Sequence, residues 1–312
     1  MTPWTVDDIP DQTGRVALIT GANSGLGYET ALALAQKGAT VVMACRNVTK
    51  GEAAKQQVFA HAPDAQLDLR ALDLSSLASV RSFAEGFQAD YPRLDMLINN
   101  AGLMALPRCE TEDGFEMQLG VNHLGHFALT GLLLEPLLAT ANSRVVNVSS
   151  SAHRMQPRIN FDDLMGERSY KRWEAYGQSK FANILFTQAL QRRFAQADAS
   201  TIAVAAHPGL SATNLQATTA QASNTSWLEN FFLHNLIPLI GQSAAQGALP
   251  QLRAATAADV QSGQYYGPQK LGIRGAPVLA KPHPNSQDHD IAERLWQLSC
   301  ELTGVDYAAL TT

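Results

Sequence analysis

The sequence predicts an α/β chain built on a doubly wound parallel sheet. Three observations carry that prediction. Short apolar runs rich in β-branched residues alternate with longer segments of helical periodicity. The first apolar run ends in a glycine-rich turn that opens directly into a helical pattern. No linker-like stretch divides the 312 residues, so 1–312 reads as one domain.

The elements follow in order. A polar, acidic extension, 1–13, precedes the first expected strand, "RVALIT" (Arg15–Thr20). Further strands are expected at Thr40–Arg46, Leu67–Leu74, Leu94–Asn100, Ser143–Ser150 and Thr201–Pro208. Their short, β-branched composition is that of strands buried on both faces. Helical patterns cover Leu26–Lys37, Val48–Ala60, Ser76–Asp90, Glu112–Thr140 and Glu174–Ala195. A further strand is expected at Gly263–Gly267 and a closing helix at Asn285–Gly304. The segment 210–241 interrupts the alternation. Its first part, Ser211–Thr225, has loop composition, and it then carries Trp227, Phe231, Phe232, Leu236 and Ile237. In a doubly wound fold ligands bind at the carboxyl ends of the strands, so this insertion is expected to be a small apolar lid at that rim.

Composition removes several functions. A net charge of −5 with no basic block argues against nucleic acid as a partner. Cys45, Cys109 and Cys300 are dispersed and odd in number, which argues against a disulfide framework or a metal site and fits a reducing, cytoplasmic setting. The N-terminus lacks the basic start and apolar core of a signal peptide. The most apolar run, Phe127–Ala139, is too short to span a bilayer and contains Glu135 and Pro136. No membrane anchor is therefore expected.

The first turn points to a dinucleotide. Gly21, Gly25 and Gly27 are spaced G-x-x-x-G-x-G between a strand and a helix. Glycines let backbone approach a pyrophosphate, and the helix start offers N–H groups and a positive dipole end. Asn23 and Ser24 add side-chain donors. The second strand ends without a carboxylate for a ribose 2′-OH. Arg46 stands there instead, a planar fork suited to the 2′-phosphate of NADP. Asp73 is a candidate for the adenine amino group. Its competing role is an N-cap, for which Ser75 and Ser76 are also placed.

Two Tyr-x-x-x-Lys pairs occur, Tyr176–Lys180 and Tyr266–Lys270. Carbonyl reduction needs a proton donor, a means of poising it and a group that orients the carbonyl. An ammonium ~4 Å from a phenol at an effective dielectric of ~20 is worth ~4 kcal/mol, roughly three pKa units. Residues four apart on a helix can meet in this way. Tyr176 and Lys180 precede a continuous helical pattern with Phe181, Ile184 and Leu185. The second pair spans Gly267 and Pro268, which break a helix, and reads as coincidence.

Taken together, these motifs resemble the short-chain dehydrogenase/reductase family, in its single-domain branch with a Rossmann-type sheet. The turn Thr20–Gly27, Asn99-Asn100-Ala101-Gly102, Asn122, the serines of "VNVSSSAH", Tyr176–Lys180 and Pro208-Gly209 come in the family's order across residues 15 to 215. The resemblance implies that Tyr176 is the general acid/base and that Lys180 lowers its pKa and binds the nicotinamide ribose. It implies that Asn122 supports a proton relay and that a serine hydrogen-bonds the substrate oxygen. The family's usual position is Ser150; strand alternation turns Ser149 away, and Ser151 is placed to cap the turn after the strand. It further implies NADPH/NADP+ contacts at Gly21, Asn23, Ser24, Gly25, Leu26, Gly27, Arg46, Asp73, Leu74, Asn100, Ala101, Gly102, Tyr176, Lys180, Pro208, Gly209 and Thr213, and no metal.

Twenty-five residues separate Ser150 from Tyr176, about twice the family's common spacing. With "ACRN" and "SKFANILF", this is similar to the retinol-dehydrogenase-like and protochlorophyllide-reductase-like subgroup. In that insert His153, Arg154 and Trp173 are candidates for a substrate entrance, each also readable as solvated loop. The expected activity is NADPH-dependent interconversion of an alcohol with a ketone or aldehyde bearing an apolar body. Two rivals are a C=C reductase of the protochlorophyllide type, for which Cys109 alone is thin support, and a non-catalytic dinucleotide sensor. Members of the family often form homo-oligomers.

Overall fold

The computed structural model describes residues 3–211 and 241–310. Eight strands form one sheet in the order β3-β2-β1-β4-β5-β6-β7-β8. They are β1 (Val16–Thr20), β2 (Thr40–Cys45), β3 (Gln66–Ala71), β4 (Met96–Asn99), β5 (Arg144–Val148), β6 (Ile202–Ala206), β7 (Tyr265–Lys270) and β8 (Arg274–Leu279). Every pairing is parallel except the antiparallel β7–β8 hairpin. The chain winds outward from β1 to β3, then crosses back to β4. The crevice between β1 and β4 is therefore the point where strand order reverses and where such sheets bind ligands.

Alternating residues of the central strands enter two different cores. Leu18, Leu97 and Val145 face one layer of helices, and Ile19, Ile98 and Val146 face the other. That explains why these strands carry no polar alternation. Among the described residues the main helices are α1 (Gly25–Gln36), α2 (Val48–His61), α3 (Leu77–Asp90), α4 (Gly125–Leu132), α5 (Leu134–Leu138), α6 (Arg172–Gln196), α7 (Ala244–Thr256) and α8 (His289–Thr303). Caps set several boundaries. Asn47 accepts from the Lys50 N–H before α2, Asp288 caps α8, and Gly304 ends α8 in the left-handed region at φ 62°.

The structure departs from the sequence expectation in three places. The expected helix Glu112–Thr140 is broken. It begins as a single turn, Met117–Leu119, passes through a π-helical turn, Gly120–Leu124, and resumes as α4, with α5 carrying Pro136. Helix α7 and strand β8 went unforeseen because each contains helix- or strand-weakening residues, Gly247 and Pro250 in one and Gly275 and Pro277 in the other. Strand β8 tolerates its proline because it lies at the sheet edge. The pair Tyr266–Lys270 lies on β7, where four residues span about 13 Å rather than one helical turn. Tyr266 is buried with its hydroxyl on Gln264, whereas Lys270 is exposed.

The expected lid residues from Trp227 to Ile237, and Thr213, lie outside the described residues. Among the described residues no helix is long and apolar enough to cross a membrane. The three cysteines are free thiols.

Among the described residues four histidines are buried in this framework. Burial lowers His123 and His153 to about 4 and His126 and His207 to about 3. A lowered folded-state pKa means that the unfolded chain binds more protons below about pH 6.5. The histidine contribution should be complete above that value and fall as pH drops from about 6.5 toward 4. The expected loss between about pH 7 and pH 5 is on the order of several kcal/mol, read as a falling denaturation midpoint; a flat profile would contradict it.

Candidate active site

The glycine turn is built by close contacts. Gly21 sits at φ +69°, a conformation that favours glycine. A side chain on Gly27 would stand 2.3 Å from the Gly21 carbonyl oxygen, so the turn closes only without one. Ser24 occupies the N-cap of α1 but makes no side-chain cap bond. The helix start thus keeps its N–H groups directed at the crevice, as an anion requires.

Thr20 ties this turn to the loop after β4. Its hydroxyl accepts from the Asn100 and Ala101 N–H groups, both at 2.9 Å, and lies 2.8 Å from His126 Nε2. The Asn100 amide donates to the Thr20 carbonyl at 2.8 Å and is itself met by Gln251 from α7 at 3.1 Å.

A cleft of about 530 Å³ runs along the carboxyl edge of the sheet. Every described residue expected to touch the cofactor lines it. Arg46 is exposed at one end, after Cys45, whose thiol burial pushes up to about 11. Asp73 also lines that end, where its carboxylate accepts from the Ser75 N–H at 2.9 Å and hydroxyl at 2.6 Å. The cap of α3 is Ser76, so Asp73 is not spent on capping.

At the other end, Tyr176 and Lys180 project from α6. Tyr176 is buried and lines the cleft together with Ser150. Burial raises the Tyr176 pKa, and the Ser150 hydroxyl works against that rise. The Lys180 ammonium, which burial brings down to about 8, donates to the Val148 carbonyl at 3.1 Å and lies 6.0 Å from the Tyr176 ring centre. The carbonyl at the end of β5 draws the ammonium toward the sheet.

Ser149 turns away, as strand alternation requires, and donates to the Lys180 carbonyl at 2.7 Å. Ser151 does not cap the 3-10 turn Ser151–Arg154. Ser150 does, accepting from the Ala152 N–H at 3.2 Å.

Asn122 lies in the π turn and does not line the cleft. Its side chain accepts from the Leu103 N–H at 2.7 Å and donates to the Leu103 carbonyl and to Ser179, both at 2.9 Å. It therefore fixes the loop beneath the cleft. A side chain on Gly102 would stand 3.1 Å from the Asn122 amide oxygen and 3.2 Å from the Lys180 nitrogen, which brings all three together.

Of the insert residues, Trp173 lines the cleft, edge-on to Tyr176 at 6.1 Å, and Met155 stands beside it. Arg154 donates to the Lys281 carbonyl. His153 is buried behind Ser150 rather than at an entrance. His126, Gln251 and this placement of His153 carried no sequence signal, since their partners lie far away along the chain.

A crevice of this form, at the reversal of strand order in a doubly wound sheet, defines a dinucleotide-binding α/β protein. A family model described as short chain dehydrogenase matches residues 15–224. The chain belongs to that family of oxidoreductases, in its retinol-dehydrogenase-like subgroup. It is 44% identical to retinol dehydrogenase 12 of Homo sapiens, over 94% of this chain and 87% of that protein. Retinol dehydrogenase 13 of Homo sapiens is 42% identical over 94% of this chain and 86% of its own length. Among solved structures, an uncharacterized protein from Mycobacterium paratuberculosis superposes with a TM-score of 0.80 at 42% identity, covering 98% of this chain and 99% of that one. A short chain dehydrogenase from Escherichia coli CFT073, complexed with NADPH, superposes with a TM-score of 0.59 at 26% identity, covering 82% and 97%.

The glycine contacts give a direct test. Gly27→Ala should lower unfolding stability by about 1–3 kcal/mol, measured by urea denaturation, because its Cβ meets backbone rather than a movable side chain. An unchanged midpoint would show that the turn relaxes.

Proposed function

We propose that this chain is an NADPH-dependent oxidoreductase that interconverts an alcohol with a ketone or aldehyde bearing an apolar body. The observation that carries the reading is Ser150 and Tyr176 lining the same end of a dinucleotide-shaped cleft, with Lys180 beside them. The residues fit the cofactor. The glycine turn admits backbone where a Cβ would collide, and the uncapped start of α1 offers its N–H groups. Gly21, Ser24 and Gly27 would hold the pyrophosphate, Arg46 the 2′-phosphate, Asp73 the adenine side and Lys180 the nicotinamide ribose. When bound, a nicotinamide dinucleotide supplies or takes up the hydride.

The protein's own part is proton handling and orientation. Ser150 donates to the substrate oxygen and sets its position. Tyr176 gives its proton to that oxygen in reduction and takes it back in oxidation. Lys180, a buried cation, favours the tyrosinate electrostatically even from the Val148 carbonyl. Asn122 holds the Leu103 backbone against which these groups rest. Leu103, Met104, Met155 and Trp173 give the substrate end an apolar wall. Similarity to proteins named retinol dehydrogenases supports the same kind of substrate. The C=C reductase reading loses its one support, because Cys109 does not line the cleft.

Tyr176→Phe should lower kcat by at least about 10²-fold with NADPH affinity intact, and retained turnover would sink the acid/base assignment. Arg46→Asp should move the NADPH/NADH preference by about 10–100-fold toward NADH; an unmoved ratio would show that Arg46 does not read the 2′-phosphate. An NADPH-oxidation screen over retinal, aliphatic aldehydes, aryl ketones and steroid ketones defines the substrate.

A further inference from the structure

We propose that His153 is a positioning residue: its imidazole, locked in one neutral tautomer, fixes the Ser150 backbone and so aims the Ser150 hydroxyl at Tyr176. The inference rests on the proposed roles of Ser150 and Tyr176 and adds the group that holds them in register.

The tautomer is dictated by the partners. His153 Nδ1 lies 2.6 Å from the Ser150 carbonyl oxygen, which can only accept, so Nδ1 carries the hydrogen. The His283 backbone N–H donates to His153 Nε2 at 3.2 Å, so Nε2 is bare. Two backbone groups more than a hundred residues apart thus demand the same neutral ring. The ring is 1% exposed and stands edge-on to Tyr265 of β7, with centroids 5.6 Å apart at 89°. Tyr265 in turn stacks on His207 at 5.1 Å, and the His207 ring accepts from the Gly209 N–H at 3.3 Å. The imidazole can neither flip nor tilt without moving β7 or the loop after β6.

This matters for Ser150 because its carbonyl and its hydroxyl oxygen are both committed. The carbonyl goes to His153, and the hydroxyl oxygen accepts from the Ala152 N–H at 3.2 Å. The one hydroxyl proton is left for Tyr176 or for a substrate oxygen. His153 does not line the cleft, so its effect passes through Ser150. The ionisable neighbours of His153 are Arg154, His207, Tyr265 and His283, and those of Tyr176 are Lys180 and Tyr265. Near neutral pH His153 holds its single tautomer without titrating, and burial keeps it so.

The test uses the full chain. His153→Leu should lower kcat by about 10–100-fold, a loss of the size caused by a misplacement of about 1 Å, with the NADPH dissociation constant within about twofold. The pH dependence of alcohol oxidation distinguishes positioning from bulk stability. Oxidation needs the tyrosinate, which a well-placed Ser150 hydroxyl favours. With Ser150 misaimed, the rising limb of kcat should move to higher pH. His153→Asn, whose amide nitrogen replaces Nδ1–H, should recover most of the rate and restore the limb. His153→Gln, whose amide reaches only the Nε2 position, should not. A folded His153→Leu protein with unchanged kcat and pH limb overturns the inference. So does equal impairment of the Leu and Asn variants with an unmoved limb. If the Leu variant fails to fold, the Asn–Gln contrast decides, and Gln matching or exceeding Asn overturns it. Tyr176→Phe runs alongside: if it keeps turnover, the underlying acid/base reading falls and this inference with it; if it is inactive, only the His153 outcomes count.

Discussion

The hydroxyl of Thr20 is the joint on which the cleft depends. It takes two N–H donors from the loop after β4, at Asn100 and Ala101. With its acceptor sites filled, its one proton goes to His126 Nε2 at 2.8 Å. His126 Nδ1 then carries hydrogen and donates to the Asn122 carbonyl at 3.1 Å. The glycine turn, the Asn-Asn-Ala-Gly loop and the π turn are thereby one hydrogen-bonded body. Buried polar groups in such a chain are costly when unpaired, so each member specifies the next. An extra residue in a helix is also most often found at functional positions, which matches where this π turn falls.

A second polar chain sets the height of α6. Asn99 on β4 donates to Thr130 on α4 at 3.0 Å and to Asn147 on β5 at 2.8 Å. Asn147 donates to Thr187 on α6 at 3.0 Å. Phe181 and Leu185 fill the core around it, yet apolar contacts alone would let a helix slide. Directional bonds do not, and the helix that carries Tyr176 and Lys180 is registered against two strands.

Much of this was readable in the sequence, and the reasons are local. Strand–helix alternation reveals itself because β1, β2 and β4 to β6 are buried on both faces and need apolar runs. The glycine spacing and the Tyr176–Lys180 helix are visible because backbone geometry fixes them within a few residues. Strand alternation puts Ser149 and Ser150 on opposite faces, and the family resemblance says which of them faces the site. What stayed hidden is non-local. His153 needs His283 and Tyr265, Thr20 needs His126, and Asn100 needs Gln251, and no periodicity announces such meetings. Helix α7 and strand β8 were masked by Gly and Pro, whose local penalties the tertiary contacts override. Lys180 donating to the Val148 carbonyl, a partner that spacing does not reveal, is the same lesson in one bond. Residue spacing sets what is reachable, and surrounding acceptors set what is reached.

The long segment between Ser150 and Tyr176 is pinned along its length. Asn160 donates its N–H to Gln178 on α6 at 2.8 Å, and Asn285 donates to the Pro157 carbonyl at 3.0 Å. The Tyr170 hydroxyl lies 3.0 Å from the Glu116 carboxylate and accepts from Gln118 at 2.8 Å. Gln118 also reaches the Arg172 carbonyl at 3.0 Å, at the first residue of α6. Because each anchor is separate, the segment is a side wall and not a tether. The two hydroxyls are placed by β5 and α6, so the number of residues between them is free to drift. Length there is a variable that a lineage can change, reshaping one wall of the cleft while its chemistry stays put.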